Sequence, residues 1–65
     1  MIKNKLLEIR LQLGYKFQKD FAEFLGMEQQ DYNRIENNKK QVSLETALSI
    51  AGKLNMHVEE IFELE

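Results

Sequence analysis

Four polar side chains stand close together near the middle of the chain. They are Gln29, Gln30, Asn33 and Arg34, three amides and one guanidinium. Amide side chains pair bidentately with adenine, arginine pairs with guanine, and all of them bind phosphate oxygens. If one helix presents them together, this group is suited to contact base edges in a DNA groove.

The residues around this group predict two short helices. Apolar residues recur at helical spacing over about residues 18–25, and again over about residues 29–37. The intervening Gly26-Met27-Glu28 segment is too short for the second helix to continue in line with the first. Two helices crossed over such a turn form a helix-turn-helix, whose second helix can enter a major groove.

Charged residues flank the second of these helices. Glu28 and Asp31 suit the positive end of the helix dipole, so capping explains both acids, yet they would also repel phosphates. After the helix, Asn38 can take the left-handed conformation that ends it. Lys39 and Lys40 follow in a loop, where either solvation or phosphate contact would account for them.

A first helix is predicted over residues 4–13, with Leu6, Ile9 and Leu13 on its inward side. Arg10 lies close to that side, and a nearly buried charge needs a partner. Glu36 is the predicted partner, in an ion pair that supports the fold.

A fourth helix is predicted to begin after Ser43 and to end at Asn55, and a short fifth helix covers residues 58–62. His57 precedes the fifth helix. We interpret it as an exposed capping residue, because one histidine without a partner cannot build a metal or catalytic site. The inward side of the fourth helix is expected to consist of Leu44, Ala47, Leu48, Ala51 and Leu54.

Both ends of the chain partly alternate between apolar and polar residues, which fits an edge strand as well as a frayed terminus. If they pair, they form a small two-stranded sheet with an open edge or apolar face for a second subunit. With no proline and abundant helix-forming residues, the predicted fold class is all-α: five helices in a single domain over residues 1–65, with this sheet if the termini pair.

Composition excludes several classes of protein. The chain of 65 residues has no cysteine and one histidine, so we expect no disulfide, metal or cofactor. No apolar run is long enough to span a membrane, and a cytoplasmic location is the default expectation. Residues 1–41 carry eight Lys/Arg and six Asp/Glu, a net charge of +2; residues 42–65 carry one lysine and five glutamates, a net charge of −4. A mildly basic side would face DNA.

The order of these segments resembles the Xre / Cro-CI family of phage-repressor-like helix-turn-helix regulators, in its single-domain type. Four segments between Leu6 and Phe62 carry the resemblance: EIRLQLG, QKDFAEFLGMEQQ, NRIENNKK and SLETALSIAGKLNMHVEEIF. The family resemblance implies a five-helix lambda-repressor-like DNA-binding domain. It also implies homodimers that form through terminal strands, which here would use Ile2, Phe62 and Leu64.

The resemblance implies roles for individual residues. Base reading falls to Gln29, Gln30, Asn33 and Arg34. Gln18, which opens the second helix, corresponds to a residue that binds phosphate or base, and Asn38, Lys39 and Lys40 correspond to loop contacts with the DNA backbone. Lys19 is expected to add affinity that falls with salt. The family's buried pair corresponds to Arg10 and Glu36.

The sequence also departs from the family pattern. Phe17 stands where a serine or threonine usually caps the second helix, Asn38 where a glycine is usual, and Val42 where a proline is usual. Glu28 and Asp31 replace small hydroxyl residues close to the expected phosphates.

Two functions are consistent with these observations. The first is a sequence-specific transcriptional regulator, a repressor that binds a palindromic operator as a homodimer. The alternative is a protein-interaction module, anti-repressor or antitoxin-like, with weak DNA affinity; the acidic balance and the exposure expected for Phe17 and Phe24 motivate it. No nucleophile, His–acid pair or phosphate loop indicates an enzyme, and a small-molecule ligand is not expected.

Overall fold

The computed structural model describes all 65 residues. Its elements, in chain order, are β1 (Ile2–Asn4), α1 (Leu6–Gln12), α2 (Gln18–Leu25), α3 (Gln29–Glu36), α4 (Leu44–Leu54), α5 (Val58–Ile61) and β2 (Phe62–Leu64). Five helices with a small terminal sheet confirm the predicted fold class. None of the helices has both the length and the apolar character needed to cross a bilayer.

The two chain ends do pair. β1 and β2 are antiparallel, with Ile2 opposite Leu64, Lys3 opposite Glu63 and Asn4 opposite Phe62. Two strands alone are marginally stable in water, so the sheet depends on its packing against the helices. Phe62 supplies that packing, since only 7% of its surface is exposed.

Residues with positive φ end the helices. Gly26 has φ 74° at the end of α2, and Asn38 has φ 59° just after α3. Asn55 has φ 55° after α4, as its predicted role as a terminator requires. At the other end of α4, the Ser43 hydroxyl accepts a hydrogen bond from the Thr46 amide at 3.1 Å, which confirms the predicted cap.

The core lies where α2, α3 and α4 meet. Phe21 and Tyr32 are fully buried, and their rings pack edge-on with centroids 5.5 Å apart. Ile50 of α4 is also buried, as are Leu6 of α1 and Ile61 of α5. α2 packs against both α3 and α4, and this shared packing holds the angle between α2 and α3.

Three expectations about the helices are wrong. The first helix is shorter than residues 4–13, because Asn4 belongs to β1, and Leu13 lies beyond the helix and is 53% exposed. The third helix ends at Glu36 and the fifth at Ile61, each one residue earlier than expected. Leu44 and Leu48 are exposed (73% and 55%), because the α4 surface that meets the core is centred on Ala47, Ile50 and Ala51.

Candidate nucleic-acid interface

The buried side of α3 fixes what its other side presents. Tyr32 and Ile35 lie in the core, at 0% and 4% exposure. Gln29, Gln30 and Arg34 point into solvent. This division follows from the 3.6-residue period of the helix, because apolar residues three apart take one face and the polar residues between them take the other.

The four side chains expected to read bases line one open cavity of about 470 Å³, formed by Gln29, Gln30, Asn33 and Arg34. No apolar side chain contributes to it. The cavity offers several hydrogen-bond donors and acceptors on one surface, which is the chemistry needed for contact with base edges.

A buried hydrogen-bond network centred on Glu36 supports α3 from behind. Glu36 Oε1 accepts from Arg10 Nε at 2.9 Å and from the Tyr32 hydroxyl at 2.6 Å, and Oε2 accepts from Gln18 Nε2. Arg10 Nη1 donates to the carbonyls of Tyr15 and Lys16, at 3.1 and 2.7 Å. The network therefore ties α1, the α1–α2 loop, the start of α2 and the end of α3 together.

This network keeps Glu36 ionised. Burial by itself would raise the pKa of the Glu36 carboxyl group. Hydrogen bonds from Tyr32, Gln18 and Arg10, together with the guanidinium charge, outweigh burial and hold that pKa below its ordinary value. Burial also raises the pKa of the Tyr32 hydroxyl, and its hydrogen bond to Glu36 adds to this effect. The tyrosine thus remains a donor.

Asn33 differs from the other three residues of the cavity. Its Nδ2 donates to Gln18 Oε1 at 2.8 Å, and the side chain is half-buried rather than exposed. Gln18 is therefore held from both ends of its amide, by Asn33 and by Glu36. This contact connects the start of α2 to the middle of α3 and fixes the orientation of the Gln18 amide.

A second cavity, of about 430 Å³, lies at the start of α2. Gln29 lines both cavities, so the two lie next to each other. The residues lining the second cavity are Arg10, Lys16, Phe17, Gln18, Lys19, Asp20 and Gln29. Lys16 and Lys19 are exposed cations beside the N-terminus of α2 and suit a phosphate group, whereas Arg10 is buried and paired with Glu36. The sequence did not identify Lys16 as a candidate for phosphate binding, because it is one lysine in a loop. Only its position beside the exposed first turn of α2 indicates that role.

Lys40 is not free in this structure. Its Nζ lies 3.4 Å from Asp31 Oδ1, and both side chains remain about half exposed. Asn38 and Lys39 are exposed beyond the end of α3.

Asp31 and Glu28 line a separate groove of about 300 Å³ between α3 and α4, with Glu45 on its far side. The two acids thus line a different cavity from Gln29, Gln30, Asn33 and Arg34.

The aromatic residues divide into buried and exposed members. Phe24 is 41% exposed and packs near Tyr15, with ring centroids 5.5 Å apart. Phe17 is 60% exposed, provides no side-chain cap for α2, and has Lys16 Nζ 5.6 Å from its ring centre. Its side chain borders the second cavity, where a serine or threonine would have offered an oxygen to the helix.

The residues expected at a dimer interface are not equally available. Phe62 is buried in the core, Ile2 is half-buried, and Leu64 is 82% exposed. Because a buried side chain cannot contact a second subunit, the apolar surface that the terminal sheet exposes consists of Leu64 and the uncovered part of Ile2.

The sequence matches a family described as Helix-turn-helix over residues 6–61, which leaves residues 1–5 and 62–65, with β1 and β2, outside the match. No curated protein matches the chain. The matched region contains α1 to α5 in full, including the buried network and both cavities. The chain therefore belongs to the Xre/Cro-CI-like helix-turn-helix family of DNA-binding regulators.

Proposed function

We propose that this protein is a sequence-specific transcriptional repressor that binds a palindromic operator as a homodimer. The observation that carries the proposal is the arrangement of α3. Its exposed face groups Gln29, Gln30 and Arg34 in one cavity, and its buried face is fixed by the core and by Glu36. A rigid helix with a polar reading face loses little freedom on entering a groove.

Each exposed side chain has a natural base partner. Gln29 or Gln30 would pair bidentately with adenine, and Arg34 with guanine, each discriminating against a wrong base by about 1–3 kcal/mol. Asn33 lies in the same cavity, but one of its N–H groups is engaged by Gln18. Asn33 would contact a base through its second N–H group and its side-chain oxygen.

The DNA backbone would be held on both sides of the reading face. Gln18 and Lys19 border the cavity at the start of α2, and Asn38, Lys39 and Lys40 follow the end of α3. With so few cations, one protomer would bind weakly. A two-fold dimer, for which Leu64 and the uncovered part of Ile2 offer apolar surface, would place two recognition helices about 34 Å apart, in successive major grooves.

Selection of bound duplexes from a random pool, followed by fluorescence anisotropy at two salt concentrations, tests the proposal. We expect enrichment of a palindrome and affinity that falls steeply with salt. The Arg34→Ala variant should relax the preference at one position of each half-site. Lys53→Ala is the matched control, since it removes one positive charge from α4 outside both cavities, and it should leave the preferred sequence unchanged.

A protein-interaction module on the same fold is the second candidate function. The observation that favours it is the groove between α3 and α4, whose rim carries Glu28, Asp31 and Glu45. Such a surface suits a basic segment of another protein. Sequence-indifferent micromolar DNA binding in the experiment above, without enrichment, would favour this function over the repressor.

A further inference from the structure

Asn4 connects the terminal sheet to the end of the recognition helix. It lies in β1, outside the residues that match the family. Its Nδ2 donates to the carbonyl of Ile35 at 2.7 Å and to Asn38 Oδ1 at 3.1 Å. Its Oδ1 accepts from the Leu6 amide at 3.0 Å. One side chain thus contacts the start of α1 and the end of α3.

These bonds leave Asn4 with no donor for a ligand. An asparagine amide has two N–H donors, and both of those of Asn4 have acceptors within the protein. Its oxygen also has a partner, and the side chain is half-buried. Any effect of Asn4 on binding must therefore act through the residues that it holds.

Asn38 is the residue that Asn4 can orient. The amide group is planar, so when Asn38 Oδ1 faces Asn4, the NH₂ group at the other end of the amide faces away from β1. That NH₂ group has no hydrogen bond within the protein, and Asn38 is exposed. The φ of 59° at Asn38 also turns the chain out of the helix at this point.

We propose that Asn4 is a positioning residue that turns the NH₂ group of Asn38 toward a DNA phosphate at the end of the recognition helix. The proposal rests on the proposed function, and it adds a role for the terminal sheet in DNA binding. β1 itself is held on both edges, by its pairing with β2 and by Gln41 Oε1, which accepts from the Ile2 amide at 3.1 Å. Asn4 therefore acts from a fixed support.

A double-mutant cycle on operator affinity tests the proposal. Asn38→Ala should weaken binding about tenfold for each protomer, as expected for loss of a hydrogen bond to a charged group. Asn4→Ala should weaken it to a similar degree. If Asn4 acts through Asn38, the double variant will bind no more weakly than Asn38→Ala alone. Losses that multiply would overturn the proposal.

Asn4→Ser separates orientation of Asn38 from capping of α1. Serine keeps an oxygen that can accept from the Leu6 amide, but it is too short to reach Ile35 and Asn38. We expect it to be more stable to urea than Asn4→Ala and equally weak in DNA binding. Recovery of normal affinity in Asn4→Ser would mean that the cap alone matters, and would overturn the proposal.

The salt dependence adds an independent measurement. Asparagine is neutral and displaces no counterion, so Asn4→Ala should lower affinity at every salt concentration without changing the log–log slope. Lys39→Ala, one residue further along, should reduce the slope by about 0.9 for each protomer. If the unmodified chain selects no sequence, the proposed function and this inference fail together. If it selects one and the double-mutant losses multiply, this inference alone fails.

Discussion

Two regions of this protein hold ion pairs of similar length and very different consequence. Arg10 and Glu36 are 2.9 Å apart, with side chains only 8% and 4% exposed. In the terminal sheet, Lys3 and Glu65 are 2.7 Å apart, but both side chains are more than half exposed. By distance alone, the pair between Lys3 and Glu65 would be expected to stabilise the fold more. Burial reverses the order, because water screens an exposed pair and removes most of its net effect.

The two regions also differ in what each pair connects. Glu36 is joined by hydrogen bonds to residues of α1, α2 and α3, so one carboxylate connects α1 to both helices of the helix-turn-helix. The pairs of the sheet join only β1 to β2 and their flanks. In the first region the ion pair therefore belongs to a network that holds α1, α2 and α3 together, whereas in the second it joins exposed side chains of two short strands and their flanks.

The largest expected effect comes from removing one partner of the buried pair. Arg10→Met keeps an unbranched apolar stem but leaves the Glu36 carboxylate buried without its counter-charge. This should cost about 3–5 kcal/mol in the free energy of unfolding. A domain of this size has roughly 3–10 kcal/mol in total, so much of the protein should unfold at room temperature. Urea unfolding followed by circular dichroism measures the loss.

Two further variants show whether the lost stability comes from the uncompensated buried charge. Lys3→Met removes the same charge in the exposed region and should leave the urea midpoint almost unchanged. Arg10→Met combined with Glu36→Gln removes both charges and should recover part of the lost stability, because no uncompensated charge remains. Equal midpoints for Arg10→Met and Lys3→Met would contradict the distinction between the two regions.

Lowering the pH should also weaken the buried pair, with a smaller loss of stability than the Arg10→Met substitution. The pKa of Glu36 is lower in the folded protein than its unfolded value of about 4.3. Its contribution to stability is therefore fully present above that pH and is lost as the pH falls through the lower folded value. Glu36→Gln should be less stable than the native protein at pH 7, and the gap should narrow below pH of about 4. A gap that stays constant as the pH falls would show that the charge of Glu36 is not what stabilises the fold.

Local sequence signals were sufficient for much of this structure. Gly26, Ser43 and Asn55 mark helix ends through backbone geometry and capping, which depend on a few neighbouring residues. The positions of α2 and α3 follow from the spacing of their apolar residues. A near-buried arginine and a glutamate on another predicted helix were enough to suggest the pair between Arg10 and Glu36, which the structure contains.

Other features depended on long-range packing. The apolar side of α4 is wider than the surface that meets the core, so periodicity could not exclude Leu44 and Leu48 from the interior. Asn4 fits a helical start by composition, and its place in a strand depends on pairing with residues almost 60 positions away. The contact between Asn33 and Gln18 requires the exact crossing of α2 and α3, which no sequence pattern specifies.

The smallest expected effect lies in the second pair of the sheet, where Lys5 Nζ and Glu63 Oε2 are 3.8 Å apart and about half exposed or more. In a double-mutant cycle with Lys5→Ala and Glu63→Ala, we expect a coupling free energy of roughly 0–1 kcal/mol at low salt. It should vanish near 1 M salt, where the screening length is about 3 Å. The stability lost in Arg10→Met should persist under those conditions, since the Glu36 side chain is only 4% exposed and salt screens a buried charge much less. Coupling between Lys5 and Glu63 that survived high salt would mean that the sheet shields its charges, as the core does, and that the two regions differ only in degree.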